Sequence, residues 1–480
     1  MATSQSNMPD TMFIYPYESP TPGSITVIAY GMERKDGDVF TWDKVFKDVV
    51  ACNFNLVSLY GSDEPKFKET LANTQGKIGV MVTNYYLQPP HKKANQEEAL
   101  QKAKNFYDAF KNFIPEDENG KPLRFQPIKV WALKDEPVYL DIADKTVGYN
   151  LHTIYNYIRR GELARKNADR TKSLRPIQVN LVGAGEPKYV EGIHLEIYPP
   201  DDELLKERKY QIYLNSFGNY NPSLWSYDLY PISSPKNNSR ILNVNYTGFY
   251  KDLDTFSRRA KETSAVFWAY AQSMEFINGN TLYPAATVPY LRFEIFSALA
   301  FGAQGIVYWT YRLRIDDSSS ETYLSALVDR DFNRTPAWSA AMKVNGEVKA
   351  YSEVFVGTKL LDFTHVGKAD TGYPVLEGDF GPIKHISATK TSGISGSTGE
   401  EGLGVLITRI NTKGSEFIII VSHDVENPQQ IAISFSPDAV ISSTKINIFG
   451  KIEYVRMTNN MSHLLTLEPG GYLIFRHDNA

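Results

Sequence analysis

Two patterns of apolar residues alternate along most of this chain. Short unbroken apolar runs occur at Ile25–Tyr30, Phe54–Tyr60, Ile78–Thr83, Ile128–Leu133, Ile177–Val182, Leu224–Tyr227, Val266–Tyr270 and Gly305–Thr310. A strand with one wet face would alternate apolar and polar positions, so runs of this kind read as strands covered on both faces. Between them the spacing turns helical. Trp42, Val45, Phe46, Val49 and Val50 fall at i, i+3, i+4, i+7 and i+8, with Thr41 placed to cap the helix N-terminus. Further helices are predicted over Gln96–Phe113, Tyr149–Asn167, Lys251–Thr263 and Tyr290–Phe301. Strand and helix in strict alternation imply parallel βαβ units, and this many fit a (β/α)8 TIM barrel better than an open doubly wound sheet.

The rhythm changes after Val354. Val405–Ile410, Phe417–Val421, Ile431–Phe435, Ile446–Phe449 and Tyr472–Phe475 are short strands parted by turn residues, with no helix among them. That pattern predicts a C-terminal antiparallel β-sandwich. The expected division is therefore a barrel over residues 1–354 and a sandwich over 355–480. The Gly/Ser-rich stretch Ser392–Gly402 is expected to be a loop inside the second part.

Composition adds one positive indication and several exclusions. Aromatic residues make up 13% of the 480, more than a core requires, and spare rings are what a sugar platform is made of. A net charge of -4 with no basic stripe excludes a nucleic-acid partner. The single cysteine, Cys52, excludes an internal disulfide and a cysteine metal site, and the eight histidines contain no His-x-x-x-His pair. Asp329, Asp331 and Asn333 imitate the start of a calcium loop. Arg334 stands where that loop needs glycine and Ala340 where it needs glutamate, so a turn is expected. Gly183-Ala184-Gly185 lacks the third glycine of a dinucleotide site and reads as a plain loop. No metal and no cofactor is predicted. No apolar run approaches the ~20 residues of a membrane span. Met1–Asp10 is polar and lacks the features of a leader peptide, and the expectation is a periplasmic or extracellular chain with its leader removed, otherwise a cytoplasmic one.

In such a barrel the chemistry sits at the C-terminal ends of the strands. The fourth run ends Trp131-Ala132-Leu133-Lys134-Asp135-Glu136-Pro137. An apolar strand that stops at two adjacent carboxylates must offer them a polar cleft or a partner, unless they simply start a solvated loop. The sixth run ends at Asp228, which is either a site acid or a loop cap, followed by Leu229 and Tyr230. The seventh ends Ala271-Gln272-Ser273-Met274-Glu275, where Glu275 is either a site acid or an exposed loop acid. The eighth ends Trp309-Thr310-Tyr311-Arg312. Tyr30, Tyr60, Trp131, Trp225, Tyr230, Trp309 and Tyr311 are the candidate sugar platforms.

With these residues the chain resembles the clan A glycoside hydrolases, most of all the family 42 β-galactosidase group. In that clan the acid/base glutamate ends strand four, often within Asn-Glu-Pro. Glu136 takes that place, with Asp135 where the asparagine would be. Leu291-Arg292-Phe293 through Ala298, Gly302, Ala303, Gly305 and Ile306 to Arg312 is similar to the group's last helix and eighth strand. Tyr311 falls about where the group has a Trp beneath the reacting sugar. The resemblance implies a bacterial enzyme that hydrolyses an oligo- or polysaccharide, with Glu136 as general acid and Asp135 binding the sugar or holding Glu136. One departure stands out. The clan's nucleophile is a glutamate ending strand seven, and here that end is Gln272, which can bond a sugar hydroxyl but cannot form a glycosyl ester. The second carboxyl would then be Glu275 or Asp228. Separations of about 5–5.5 Å and about 6.5–9.5 Å would mark retaining and inverting chemistry. The same departure admits an inactive barrel that binds glycan without cleaving it.

Overall fold

The computed structural model describes residues 17–32, 41–60, 64–83, 96–116, 120–123, 125–143, 149–184, 193, 203–314, 321–391, 397–458 and 461–478. Eight parallel strands close into a barrel in chain order: Thr26–Met32, Leu56–Tyr60, Gly79–Thr83, Ile128–Asp135, Ile177–Val182, Leu224–Asp228, Val266–Gln272 and Gly305–Trp309. They are barrel strands one to eight below. The last pairs back onto the first, Thr26 opposite Gly305. The fold is thus the expected (β/α)8 barrel followed by antiparallel sheets. The apolar runs are continuous because both faces are covered. Val27, Val57, Leu133, Trp225 and Ile306 face the helices, while Ile28, Leu56, Met81, Val130, Leu224 and Val307 fill the barrel. Towards the C-terminal end the filling turns polar, with Ser58, Thr83, Gln178, Asn180 and Ser226 all buried.

Local details differ from the sequence expectation in several places. Thr41 does precede the first helix, Trp42–Ala51, in an extended conformation, but its side chain makes no capping bond. The helix from Gln96 stops at Phe110 rather than Phe113. In the sandwich the strand expected at Ile446–Phe449 lies earlier, at Val440–Ile446. Asn447 Oδ1 accepts from the amides of Phe449 (2.9 Å) and Lys451 (3.0 Å), which folds the next residues into a turn. Ile448 and Phe449 are left 94% and 78% exposed on it. Within the stretch expected to be a loop, Ser397–Glu401 is a strand, and 392–396 lie outside the described residues.

The six-stranded sheet comprises Lys359–Val366, Val405–Thr412, Ser415–Ser422, Tyr472–Asp478, Val440–Ile446 and Ile452–Arg456. It packs on a four-stranded sheet of Ser397–Glu401, Ile383–Thr391, Gln429–Phe435 and His463–Leu467. Its two faces explain the unbroken run Phe417–Val421. Ile418 and Ile420 join the core between the sheets, while Phe417, Ile419 and Val421 join the core of the barrel. Helix Val288–Ala300, capped by Thr287 accepting from the Tyr290 amide, lies at this seam. There Phe296 stacks on Tyr472 with ring centroids 3.6 Å apart. A further five-stranded sheet is built from insertions after barrel strands six, seven and eight: Ile232–Pro235, Asn243–Val244, Glu275–Asn278, Thr281–Tyr283 and Glu321–Ser325. Among the described residues no helix is long and apolar enough to cross a membrane.

Candidate active site

A pocket of about 280 Å³ opens where barrel strands four to eight end. Asp135, Glu136, Asp228, Tyr230, Tyr270 and Trp309 line it from the barrel, with Arg314 just beyond strand eight. Phe276, Asn278, Tyr283, Glu321 and Tyr323 line it from the five-stranded sheet, which forms one wall.

A bulge aims Asp135 into this pocket. Val130 and Ala132 point into the barrel, so simple alternation would send Lys134 inward next. The pairing with strand five slips instead: Ala132 lies opposite Gln178, but Lys134 lies opposite Val179 and Asp135 opposite Asn180. One extra residue in strand four therefore swaps the two faces. Glu136 follows with φ of 44°, a left-handed backbone that non-glycine residues seldom adopt, and its amide donates to Asn180 O at 2.9 Å. Strain of this kind costs on the order of 1 kcal/mol and persists where the surroundings hold it.

The three acids are unequal. Asp135 Oδ1 accepts from Asn180 Nδ2 at 3.0 Å and Oδ2 from the Tyr30 hydroxyl at 3.3 Å. Tyr30 is in turn 3.0 Å from the Tyr60 hydroxyl. Asp135 keeps contact with pocket solvent yet is encircled by protein, and this burial, aided by the charge of Glu136, pushes its carboxyl up to about 6. The bonds from Asn180 and Tyr30 and the charge of Arg314 hold it from rising further. Asp228 is raised well above the usual carboxylate range, first by burial, then by the charges of Glu136 and Asp135 and by a hydrogen bond with Glu136. Among the described residues its Oδ1 is buried without a hydrogen-bond partner, a place that penalises a full negative charge. Burial thus favours the neutral form of Asp228, which lines the pocket together with Glu136.

The other predicted residues divide. Tyr230 and Trp309 stack at 5.5 Å between ring centroids and face the pocket, and Phe276 stacks on Tyr283 at 4.3 Å beside them. The peptide bond after Trp309 is cis. Tyr30 donates to Asp135 and is itself bonded to Tyr60, and neither ring is among the residues that line the pocket. Trp131, Trp225 and Tyr311 are corrections, because all three are fully buried on the outer face of the barrel. Their polar atoms are engaged there: Trp131 Nε1 donates to Glu162 at 3.1 Å, Trp225 Nε1 to Thr263 at 2.9 Å and the Tyr311 hydroxyl to Asp48 at 2.5 Å. Glu275 begins an insertion strand opposite Ser325 and is not brought to the pocket; its neighbour Phe276 is. Gln272 is buried, with Nε2 donating to Pro284 O at 2.7 Å and its amide to the buried carboxyl of Glu294 at 2.8 Å. Strand seven reaches the pocket through Tyr270 instead.

Tyr270, Asn180, Arg314, Asn278, Glu321 and Tyr323 are site residues that sequence reasoning missed. Inward alternation from Asp228 and from the polar run of strand five could have found Asn180, but nothing in the chain marks Glu321. Its carboxylate accepts from the Tyr323 hydroxyl at 2.8 Å and faces the acids from the added sheet. The calcium-like stretch is a turn in which Asp329 Oδ1 accepts from the amides of Asp331 and Asn333, both at 2.8 Å. Gly183 lines the pocket as part of a loop, and the Ala184 amide after it donates to Asp252 at 2.9 Å. Among the described residues no three His, Cys, Asp or Glu side chains gather so as to hold a metal ion.

No protein-family model matches the chain, and no curated protein is similar to it. Solved structures similar to it include a glycoside hydrolase family 5 protein from Bacteroides vulgatus, 10% identical with a TM-score of 0.46, covering 95% of this chain and 89% of that one. An endo-β-1,4-mannanase from Thermotoga petrophila is 10% identical with a TM-score of 0.42, covering 93% and 97%. A GH30 endoxylanase from Clostridium papyrosolvens is 10% identical with a TM-score of 0.41, covering 95% and 96%.

Proposed function

We propose that this chain hydrolyses O-glycosidic bonds in a carbohydrate, with Asp228 and Glu136 as the reacting pair. The observation that carries the reading is the gathering of Asp135, Glu136 and Asp228 in one pocket at a barrel mouth, beside the stacked rings of Tyr230 and Trp309. Burial favours the neutral form of Asp228, so this reading gives it the acid role that sequence resemblance gives Glu136. Asp228 donates its proton to the glycosidic oxygen as the bond to the anomeric carbon breaks through an oxocarbenium-like state. Glu136 then adds to the anomeric carbon and forms a glycosyl ester, the retaining course. A water then replaces the leaving group, gives its proton to Asp228 and releases Glu136. Asp135, ionised above about pH 6, supports the charge that develops on the sugar and binds a hydroxyl.

Four acids, Asp135, Glu136, Asp228 and Glu321, face one arginine, Arg314, among the described lining residues. That balance favours an uncharged sugar over an acidic one. Kinship with the family 42 group is supported by Glu136 at the end of strand four and by the trailing β-domain, with strand six in place of strand seven as source of the second acid. The reading assigns the reaction to residues 1–354 and leaves 355–480 as the part packed against them.

The test is release of product from a panel of neutral aryl glycosides and oligosaccharides. The parent should turn over at least one, and Glu136→Gln and Asp228→Asn should each slow it by about 10³-fold or more. Equal turnover in either variant overturns the assignment. No turnover in the parent, together with a glycan-dependent rise in melting temperature, would leave a glycan-binding barrel, the reading that Gln272 at the strand-seven end favours.

A further inference from the structure

Beneath the three acids a chain of buried hydrogen bonds runs across the barrel. Gln178 Nε2 lies 3.3 Å from the hydroxyl of Tyr270, on the pocket wall, and 3.1 Å from Ser226 Oγ. Ser226 Oγ donates to Asn180 Oδ1 at 3.2 Å, and Asn180 Nδ2 donates to Asp135 Oδ1 at 3.0 Å. Asn180 is also within hydrogen-bond reach of Asp228. An amide can turn either way, and this network decides which way. Gln178 supplies a donor to Ser226, so the serine proton is free for the Asn180 oxygen, and the amide nitrogen must face the carboxyl groups. The opposite orientation would set an amide oxygen against Asp135.

We infer that Asn180 is a positioning residue for the reaction: pinned by Ser226, it donates to Asp135 and so favours the ionised form of that carboxyl beside Asp228 and Glu136. The inference rests on the hydrolytic reading for its consequence but not for its geometry. The titratable groups that face Asp135 among the described residues include Glu136, Asp228, Lys134, Arg314, Tyr30, Tyr60, Tyr230 and Tyr270. Of the donors to its carboxylate, only Asn180 cannot itself titrate, so its effect persists at every pH. A purely structural asparagine would fill the barrel equally well and leave the acids unaffected.

The deciding measurement is carboxyl NMR titration of the full chain labelled at aspartate ¹³Cγ, with Asp135 and Asp228 assigned from their Asn variants. In Asn180→Ala the Asp135 transition should rise by about one to two pH units, the value of one bond to a charged group. Ser226→Ala, which keeps the amide but unpins it, should move the same transition in the same direction by less. Leu224→Val, a loss of packing in the same barrel layer, should lower the melting temperature and leave the transition in place. An Asp135 transition within about 0.3 units of the parent in Asn180→Ala overturns the inference. Should that variant not fold, the absence of any shift in Ser226→Ala does so instead. Turnover is read separately. If the parent hydrolyses a glycoside, the acid limb of its kcat/KM profile should move with the Asp135 transition. If it hydrolyses none, the proposed function fails while the titration still decides the role of Asn180.

Discussion

The barrel mouth and the seam with the sandwich are made of opposite materials. At the mouth Asp135, in contact with pocket solvent, is joined to the buried Asn180, Ser226 and Gln178 by hydrogen bonds. At the seam the enclosed groups are Phe296, Tyr472, Leu406, Ile410, Ile419 and Ile474, whose side chains meet chiefly by apolar and ring contact. Burying apolar area stabilises the fold at roughly 25 cal/mol per Å², whereas a buried acid costs free energy even when it is bonded. A molecule that places costly groups at one end and stabilising ones at the other separates chemistry from stability. Substitutions at the two regions should then fail in different ways.

The largest expected effect tests the mouth. Asp228→Asn should lower turnover by about 10³-fold while denaturant unfolding shows stability equal to or above the parent's, because a raised carboxyl has been removed. A marked loss of stability would mean that the acid holds the fold together. Next comes the seam. Phe296→Ala should cost roughly 3–5 kcal/mol in unfolding free energy, with turnover per folded molecule unchanged. A fall in turnover per folded molecule would show that seam and mouth are linked.

Two smaller effects sharpen the contrast through pH. Burial pushes the Glu294 carboxyl, behind strand seven, up to about 8. Below its unfolded value of 4.5 both states are protonated and nothing is lost. Between there and about 8 only the unfolded chain ionises, so stability falls as pH rises. Glu294→Gln keeps an acceptor for the Gln272 amide and should show no gain near pH 4.5 but on the order of 3 kcal/mol at pH 7. At the seam, burial pushes His423 down from 6.5 to about 3, and its Nε2 has no partner. The folded state keeps it neutral while the unfolded chain takes up a proton below 6.5, so stability is lost as pH falls through that range. His423→Phe should narrow the acid-side loss by roughly 2 kcal/mol at pH 5. Parallel curves for parent and variant would show that the seam tolerates the charge.

How far the site could be read from the chain depends on the strand. If Asp228 points into the mouth, alternation alone places Ser226 and Leu224 inward and Trp225 outward, so the true position of Trp225 was available in the sequence. Trp131 was not. Asp135 and Trp131 are four apart and would share a face in a regular strand. The bulge before Lys134 separates them, and a bulge depends on pairing with strand five, which the strand-four sequence does not encode. Glu275 illustrates a third case. An acid three residues beyond a strand end could reach the mouth, but a hairpin starts there and carries it into another sheet.

By itself the sequence determined the eight barrel strands, the change to antiparallel sheets after the barrel, and the two strand ends, four and six, where carboxylates stand. These follow from local periodicity, because a strand covered on both faces must be apolar at successive positions whatever its neighbours are. Only the tertiary structure decided how burial and neighbouring charges set the acids apart, which aromatic rings face the pocket and that Glu321 and Tyr323 complete its wall. Proton affinity depends on burial and on charges brought from other strands, and a pocket is defined by residues that are far apart in the chain.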